Sequence, residues 1–338
     1  MNILLTGGTG YIGSHTAVVL ANAGHSVVLY DNLANSDASV VDRLEKIVGS
    51  RLPFVAGDIR STDLLASTLG SYSIEAVIHF AGLKAVGESV RNPLAYYDNN
   101  VGGTISVLRA MTRVGIKRLV FSSSAAVYGD PQYLPIDEAH PRGATNPYGH
   151  TKLQIENIIE DLAASDASWR ITCLRYFNSV GAHESGLIGE NPNGVPNNLM
   201  PFLASVAAGR LPCLNIFGGD YGTPDGTGVR DYIHVMDLAE GHLAALNVMC
   251  AVSAERAAFE AFNLGTGRGQ SVLEMLAAFE QASGRSIQSR VVPRRAGDVA
   301  ACYARADKAA KSLGWEASRQ LDNMCLSTWK FQMNRACK

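Results

Sequence analysis

Tyr148 and Lys152 lie four residues apart in Asn146-Pro-Tyr-Gly-His-Thr-Lys152. The spacing predicts a helix start, with Pro147 suited to its first turn. Residues i and i+4 share one helix face, about 6 Å apart along the axis. An ammonium so placed lowers the pKa of a phenol, about 10 when unperturbed, and lets tyrosinate act as a base near neutrality. A Tyr-x-x-x-Lys pair also occurs on plain surface helices. Here it follows Ser122-Ser-Ser124, which reads as a strand end, and a glycine-rich N-terminal loop.

That loop, Thr6-Gly-Gly-Thr-Gly-Tyr-Ile-Gly13, carries Gly7, Gly10 and Gly13 at three-residue spacing between a predicted strand and a predicted helix. Glycines there permit a tight turn and let the backbone approach a pyrophosphate at the helix N-terminus. Asp31, 18 residues after Gly13, ends the second predicted strand, where a carboxylate grips the adenine ribose hydroxyls. A carboxylate would repel a 2′-phosphate, so the pattern favours NAD over NADP. Asp58, in Gly57-Asp58, either accepts from the adenine amino group or closes a surface turn.

The elements that must position these groups read as an α/β chain. Short apolar strands at 2–6, 26–31, 53–56, 76–80, 117–122 and 170–176 alternate with helical patterns such as 12–23. Continuous apolar strands between helices imply a Rossmann-like, doubly wound parallel sheet covered on both faces. Gly-, Pro- and Asn-rich stretches at 183–198 and 218–230 read as functional loops. Helices near 235–250 and 271–283 and a strand near 260–264 follow. The division expected is a dinucleotide-binding domain over 1–178, with later segments returning to it, and a smaller loop-rich α/β substrate lobe over 179–338.

Composition narrows the rest. With 338 residues, 47% hydrophobic, 18% charged and net charge −2, the chain reads as an ordinary globular enzyme without a footprint for nucleic acid. No apolar run approaches the roughly 20 residues of a membrane helix, and the N-terminus lacks a signal peptide's basic region. Six cysteines without a Cys-x-x-Cys pair, and histidines without ligand spacing, predict neither a disulfide framework nor a metal site, and suit a reducing cytoplasm. His79 is expected to pack within the sheet. Arg290, Arg294 and Arg295 form a basic cluster suited to one diphosphate.

Longer runs carry a resemblance: Thr6–His15, His79–Ser89, Tyr96–Asn100, Phe121–Gly129, Pro196–Met200 and Asp225–Asp237. Over nearly its whole length the chain resembles the extended short-chain dehydrogenases/reductases and, within them, the UDP-glucose 4-epimerase family. The resemblance implies reversible inversion at C4 of a UDP-hexose through a 4-ketopyranose, with bound NAD, in galactose metabolism and sugar-nucleotide supply. It implies Tyr148 as base, Lys152 as its electrostatic partner and Ser124 as the hydroxyl bridging to substrate O4. Cofactor contacts are implied at Gly7, Gly10, Tyr11, Ile12, Gly13, Asp31, Asn32, Asn35, Ser36, Asp58, Ile59, Phe80, Ala81, Gly82, Lys84, Asn99 and Phe177. Substrate contacts are implied at Lys84, Asn178, Asn198, Leu199, Asn215, Phe217, Arg230, Arg295, Asp298 and Cys302. A homodimer through helices of the N-terminal domain is implied as well.

Two rivals use the same fold. A dehydratase resembles Thr-Asp-Glu at the serine position, whereas Ser124 is followed by Ala125-Ala126. An NAD-sensing binding protein would lose the base or its lysine, and both are present. Three departures stand out. Cys302 falls where some relatives carry a tyrosine, predicting room for an N-acetyl group and turnover of UDP-N-acetylhexosamines, unless it is simply a small apolar filler. Ser179 replaces a usual proline and predicts a looser sugar loop. The tail after Trp329 departs from the family and is given no role.

Overall fold

Strands whose residues are apolar at every position need cover on both faces. In the computed structural model, which describes residues 1–192, 194, 196–250, 258–295 and 297–336, they receive it. The chain runs β1 (Asn2–Thr6), α1 (Tyr11–Asn22), β2 (Ser26–Asp31), α2 (Ser39–Val48), β3 (Phe54–Ala56), α3 (Thr62–Ser71) and β4 (Ala76–His79). Short helices α4 (Val86–Arg91) and α5 (Pro93–Tyr96) lead through a π-helical turn, Tyr97–Gly102, into α6 (Gly103–Val114). Then come β5 (Arg118–Ser124), α7 (Pro147–Ser165), β6 (Arg170–Tyr176) and β7 (Asn178–Val180). The remainder is α8 (Leu199–Ala207), β8 (Leu214–Phe217), β9 (Val229–His234), α9 (Val235–Cys250), β10 (Phe259–Leu264), β11 (Gly269–Ser271), α10 (Val272–Ser283), β12 (Ser289–Val292), β13 (Ala301–Cys302), α11 (Asp307–Leu313) and α12 (Leu321–Ala336).

Seven strands form one parallel sheet in the order β10-β6-β5-β4-β1-β2-β3. Alternate residues serve opposite faces. Ile3, Leu5, Val27, Leu29 and Ile78 join one core with α1 and α9, while Leu4, Val28, Val77, Leu119 and Phe121 join another with α3, α6 and α7. Strand order reverses between β1 and β4, so the crevice at their carboxyl ends lies beside Thr6–Gly7 and His79–Phe80, where ligands of doubly wound folds belong. Later in the chain, β10 extends the sheet beside β6, and α9 packs on α1. A third core, with Met200, Leu203, Ile216, Tyr232, Phe279 and Met324, unites α8, α10 and α12 with β8 and β9.

The expected strands match the observed ones to within two residues at each end. One expectation changes. Ser179 sits in β7, paired with Ile233 of β9, so the position is held by a strand ladder and is not loosened. Cys337 lies outside the described residues. No helix among the described residues is long and apolar enough to cross a membrane.

A buried polar contact locks α7 to the sheet. The Glu156 carboxylate, fully buried, accepts from Arg175 at 2.7 and 3.0 Å and from the Ser123 hydroxyl at 2.5 Å. Arg175 also donates to the Tyr128 hydroxyl at 3.0 Å. Such a pair adds little over an apolar substitute, but removing one partner strands the other's charge. Glu156→Ala should therefore lower the unfolding free energy by about 3–5 kcal/mol in a urea titration. A loss below about 1 kcal/mol would show that Arg175 finds water or another partner.

Candidate active site

Glycine spacing becomes geometry at the end of β1. Gly7 has φ +70°, and a Cβ on Gly13 would collide with the Gly7 carbonyl oxygen, so neither position accepts a side chain without moving the loop. Helix α1 starts after Gly10 with no side-chain cap, leaving its first N–H groups free for an anion. Asp31 is buried and accepts from the Thr9 and Leu33 amides at 3.1 and 2.9 Å and from Ser36 at 3.3 Å. A carboxylate has room for a further donor beyond these three.

Of the residues expected at the cofactor or substrate, all but Asp58 and Cys302 line one cavity of about 840 Å³. Asp58 turns instead to Arg60 at 2.8 Å and to Asn32 at 3.1 Å, and the Arg60 guanidinium holds its carboxyl well below the usual carboxylate range. Cys302 pairs with Arg230 across β13 and β9 and packs against a cluster containing Phe177 and Ala304; burial pushes its thiol up to about 11. The basic cluster also divides. Arg295 lines the cavity and stacks 3.7 Å over Phe217, whereas Arg294 pairs with Asp220 and Arg290 donates to Asn215. The diphosphate-sized cation pair in the wall is Arg230 with Arg295. Arg230 has Asp298 at 3.7 Å.

Helix α7 begins at Pro147, with the Asn146 side chain accepting from the Gly149 amide at 2.9 Å. Its first turns present Tyr148 and Lys152 to the end of β5. Tyr148 and Ser124 line the cavity together. Burial raises the Tyr148 phenol above its ordinary value, opposed by the neighbouring Ser124 hydroxyl and by the charge of Lys84. Lys152 donates to the Ser122 carbonyl at 2.7 Å, sits 4.7 Å over Phe121, and is lowered by burial to about 8. Lys84 and Lys152 both line the cavity with Tyr148.

Three further side chains complete the wall. Glu190 accepts from Lys84 at 3.0 Å and from Asn198 at 2.7 Å. Phe331, in the tail given no role, is buried against Gly189. Tyr11 donates to the Gly181 carbonyl at 2.6 Å, tying the glycine loop to the sugar-side loop. No local pattern in the sequence marks Glu190, since its contacts come from residues 106 and 8 positions away. His79 is a sheet residue held by Thr6 and Thr104 hydroxyls. Among the described residues no cluster of His, Cys, Asp or Glu is placed to hold a metal ion.

Comparison with known proteins matches this arrangement. A family model described as GDP-mannose 4,6 dehydratase covers residues 4–328. The UDP-glucose 4-epimerase of Bacillus subtilis is 55% identical over 98% of this chain and 97% of its own. That of Neisseria gonorrhoeae is 53% identical over the same shares. The chain belongs to the UDP-glucose 4-epimerase family. Among the family's solved structures, the Stenotrophomonas maltophila enzyme with NAD and a formylated UDP-arabinopyranose superposes with TM-score 0.96 at 51% identity, covering 99% of each chain. The Bifidobacterium longum enzyme with NAD⁺ and UDP gives 0.95 at 49%, again over 99% of each.

The lowered Lys152 pKa has a stability consequence. A lysine that is harder to protonate when folded penalises folding in full below pH about 8; the penalty fades toward pH 10.5 and is gone above it. Lys152→Met, after removal of any bound nucleotide, should therefore stabilise the fold at pH 7 by a net of about 2 kcal/mol, a gain absent at pH 11. Equal thermal midpoints at pH 7 would contradict this.

Proposed function

We propose that this chain interconverts UDP-glucose and UDP-galactose by epimerisation at C4, using NAD as a retained prosthetic group. The observation that carries the reading is the meeting of Tyr148, Lys152 and Ser124 with the glycine loop, Arg230 and Arg295 in the wall of one cavity. NAD fits the chain's own residues: a loop that a Cβ would fill, an uncapped α1 N-terminus and a buried Asp31. Phe80, Ala81, Gly82, Asn99 and Phe177 complete its bed, with Phe177 near the nicotinamide, and the family's solved structures with NAD support the assignment. Bound there, NAD would supply a reversible hydride acceptor for C4 of the sugar, with no net oxidation.

The chain's residues then do the following. Tyr148 removes the 4-hydroxyl proton, with Ser124 bridging phenol and sugar oxygen. Arg230 and Arg295 anchor the diphosphate through bidentate contacts, and Asn178, Asn198, Leu199, Asn215, Phe217 and Asp298 hold the nucleotide and sugar. Firm anchoring of the diphosphate with a loosely held hexose lets the planar 4-ketone turn and present its other face. Residues 1–178 with the returning α9, β10 and α11 serve as the cofactor unit, and most of 179–338 as the UDP-sugar unit. Ala125-Ala126 beside Ser124 offer no acid–base pair for elimination, which disfavours a dehydratase. Exposed Val86, Val90 and Leu94 on α4 and α5 suit a homodimer contact, and the buried free thiols of Cys173 and Cys325 suit a reducing cytoplasm.

Purified protein given UDP-galactose and no added cofactor should form UDP-glucose and carry NAD(H) through purification. A 4-keto-6-deoxy product, or no turnover, would refute the reading. The small Cys302 side chain, beside Arg230 and the Phe177 cluster, supports turnover of UDP-N-acetylglucosamine and UDP-N-acetylgalactosamine too. Cys302→Tyr should abolish that second activity and spare the first; equal loss of both would argue against a gate.

A further inference from the structure

Three serines in a row end β5, and alternation along the strand sends them to different partners. Ser123 faces α7, where its hydroxyl donates to Glu156. Ser122 and Ser124 share the opposite face, and Ser124 reaches the cavity. Ser122 is fully buried, and its hydroxyl meets Nε2 of His242 on α9 at 2.7 Å. His242 is fully buried too, with Nδ1 2.8 Å from the Leu238 carbonyl one turn earlier. A carbonyl only accepts, so Nδ1 carries the ring proton, Nε2 is the acceptor and the Ser122 hydroxyl donates to it. The carbonyl of the same Ser122 accepts from the Lys152 ammonium at 2.7 Å. The His242 ring also stands behind two rings of the cavity wall, its centroid 4.8 Å from that of Phe80 and 6.4 Å from that of Tyr176.

We propose that His242 is a positioning residue for the Tyr148–Lys152 pair: through the Ser122 hydroxyl it fixes the strand carbonyl on which the Lys152 ammonium rests. Every link is a short contact, from the Leu238 carbonyl through the imidazole and Ser122 to Nζ. The end of β5 is thus held from both faces, by His242 on one side and Glu156 on the other. An ammonium has three donors. With one engaged by Ser122, its direction is set and two remain for the cavity. Tyr148 lies one turn earlier on the same face of α7, so that direction decides how much positive charge the phenol meets. Burial lowers His242 to about 4, so the imidazole is neutral near pH 7 and places no second cation behind Lys152. The other titratable groups around the pair are Glu156 on α7, His79 on β4, Lys84 after β4, Tyr96 on α5, and Cys173 and Tyr176 on β6. Burial keeps His79, Tyr96, Cys173 and Tyr176 uncharged near neutrality. Replacing His242 therefore changes no other charge in the site.

The proposal rests on Tyr148 being the base of the proposed epimerisation, and one of its tests needs no turnover. His242→Phe keeps a ring behind Phe80 and Tyr176 but removes the acceptor. It should lower kcat about tenfold, with KM for UDP-galactose changed less than about twofold because the diphosphate anchors are untouched. A less firmly directed ammonium lowers the phenol less, so the acid limb of kcat/KM should move to higher pH by about half a unit. Ser122→Ala should do the same, and His242→Phe added to it should do no more. That double variant removes both hydrogen-bonding partners at once and strands no buried polar group. His242→Gln, whose amide oxygen can stand in for Nε2, should restore most of kcat. An ultraviolet titration of tyrosinate in the protein as purified, with Tyr148→Phe subtracted, should show the same upward shift in His242→Phe and Ser122→Ala. Unchanged kcat and acid limb in His242→Phe, or effects that add in the double variant, overturn the proposal; so does a lower thermal midpoint as the only consequence. Wild-type protein that fails to interconvert the two UDP-hexoses overturns the epimerase reading instead, and the tyrosinate titration still decides the part of His242.

Discussion

One polar face of α7 is docked on the carboxyl end of β5, and the site depends on that docking. Tyr148, Lys152 and Glu156 follow one another at four-residue intervals, so all three point the same way. Lys152 donates to the Ser122 carbonyl and Glu156 accepts from Ser123 and Arg175, while Tyr148 lines the cavity together with Ser124. Glu156 and Arg175 are the deepest rung, sealed from water. A helix held by a buried, geometrically demanding contact cannot slide, so the phenol and the serine hydroxyl keep their separation while the cavity in front of them fills and empties.

The same docking explains why the base needs help. The wall that excludes water also disfavours a tyrosinate, and burial is the largest influence on Tyr148. Compensation has to come from donors and cations that converge on one oxygen. Ser124, on β5, and Lys84, in the segment after β4, both act in that direction. Lys84 in turn is held from the opposite wall by Glu190. The cavity thus joins two cores: a parallel sheet that presents the glycine loop and α7, and a smaller unit that presents Arg230, Arg295 and the Glu190 loop. The Tyr11–Gly181 and Lys84–Glu190 contacts cross between them.

Much of this was legible in residue order because it is local. A glycine loop at a strand-to-helix junction, a carboxylate at the next strand end and an i, i+4 Tyr/Lys pair are short-range patterns with short-range causes. Buried β-branched strands announced the parallel sheet for the same reason. What was not legible depends on distant partners. Glu156 takes its role from Arg175 and Ser123, both distant in sequence, although its four-residue step from Lys152 is a usable signal. Glu190 and Phe331 acquire meaning only when the loop before α8 meets Lys84 and α12. Arg294 and Arg295 are adjacent and chemically identical, yet one stacks on Phe217 in the cavity wall and the other pairs with Asp220. The Asp58 pairing with Arg60, two residues on, is likewise visible only in the folded loop.

The account's central claim is that one site removes hydrogen from C4 and restores it to the same sugar. UDP-galactose carrying deuterium at C4, incubated with the protein in ordinary water, tests this directly by mass spectrometry of the product. The account predicts UDP-glucose that retains the deuterium at C4, with none lost to solvent over many turnovers. Product with protium at C4 would contradict it, because inversion would then proceed by exchange with water and not by transfer within the closed site.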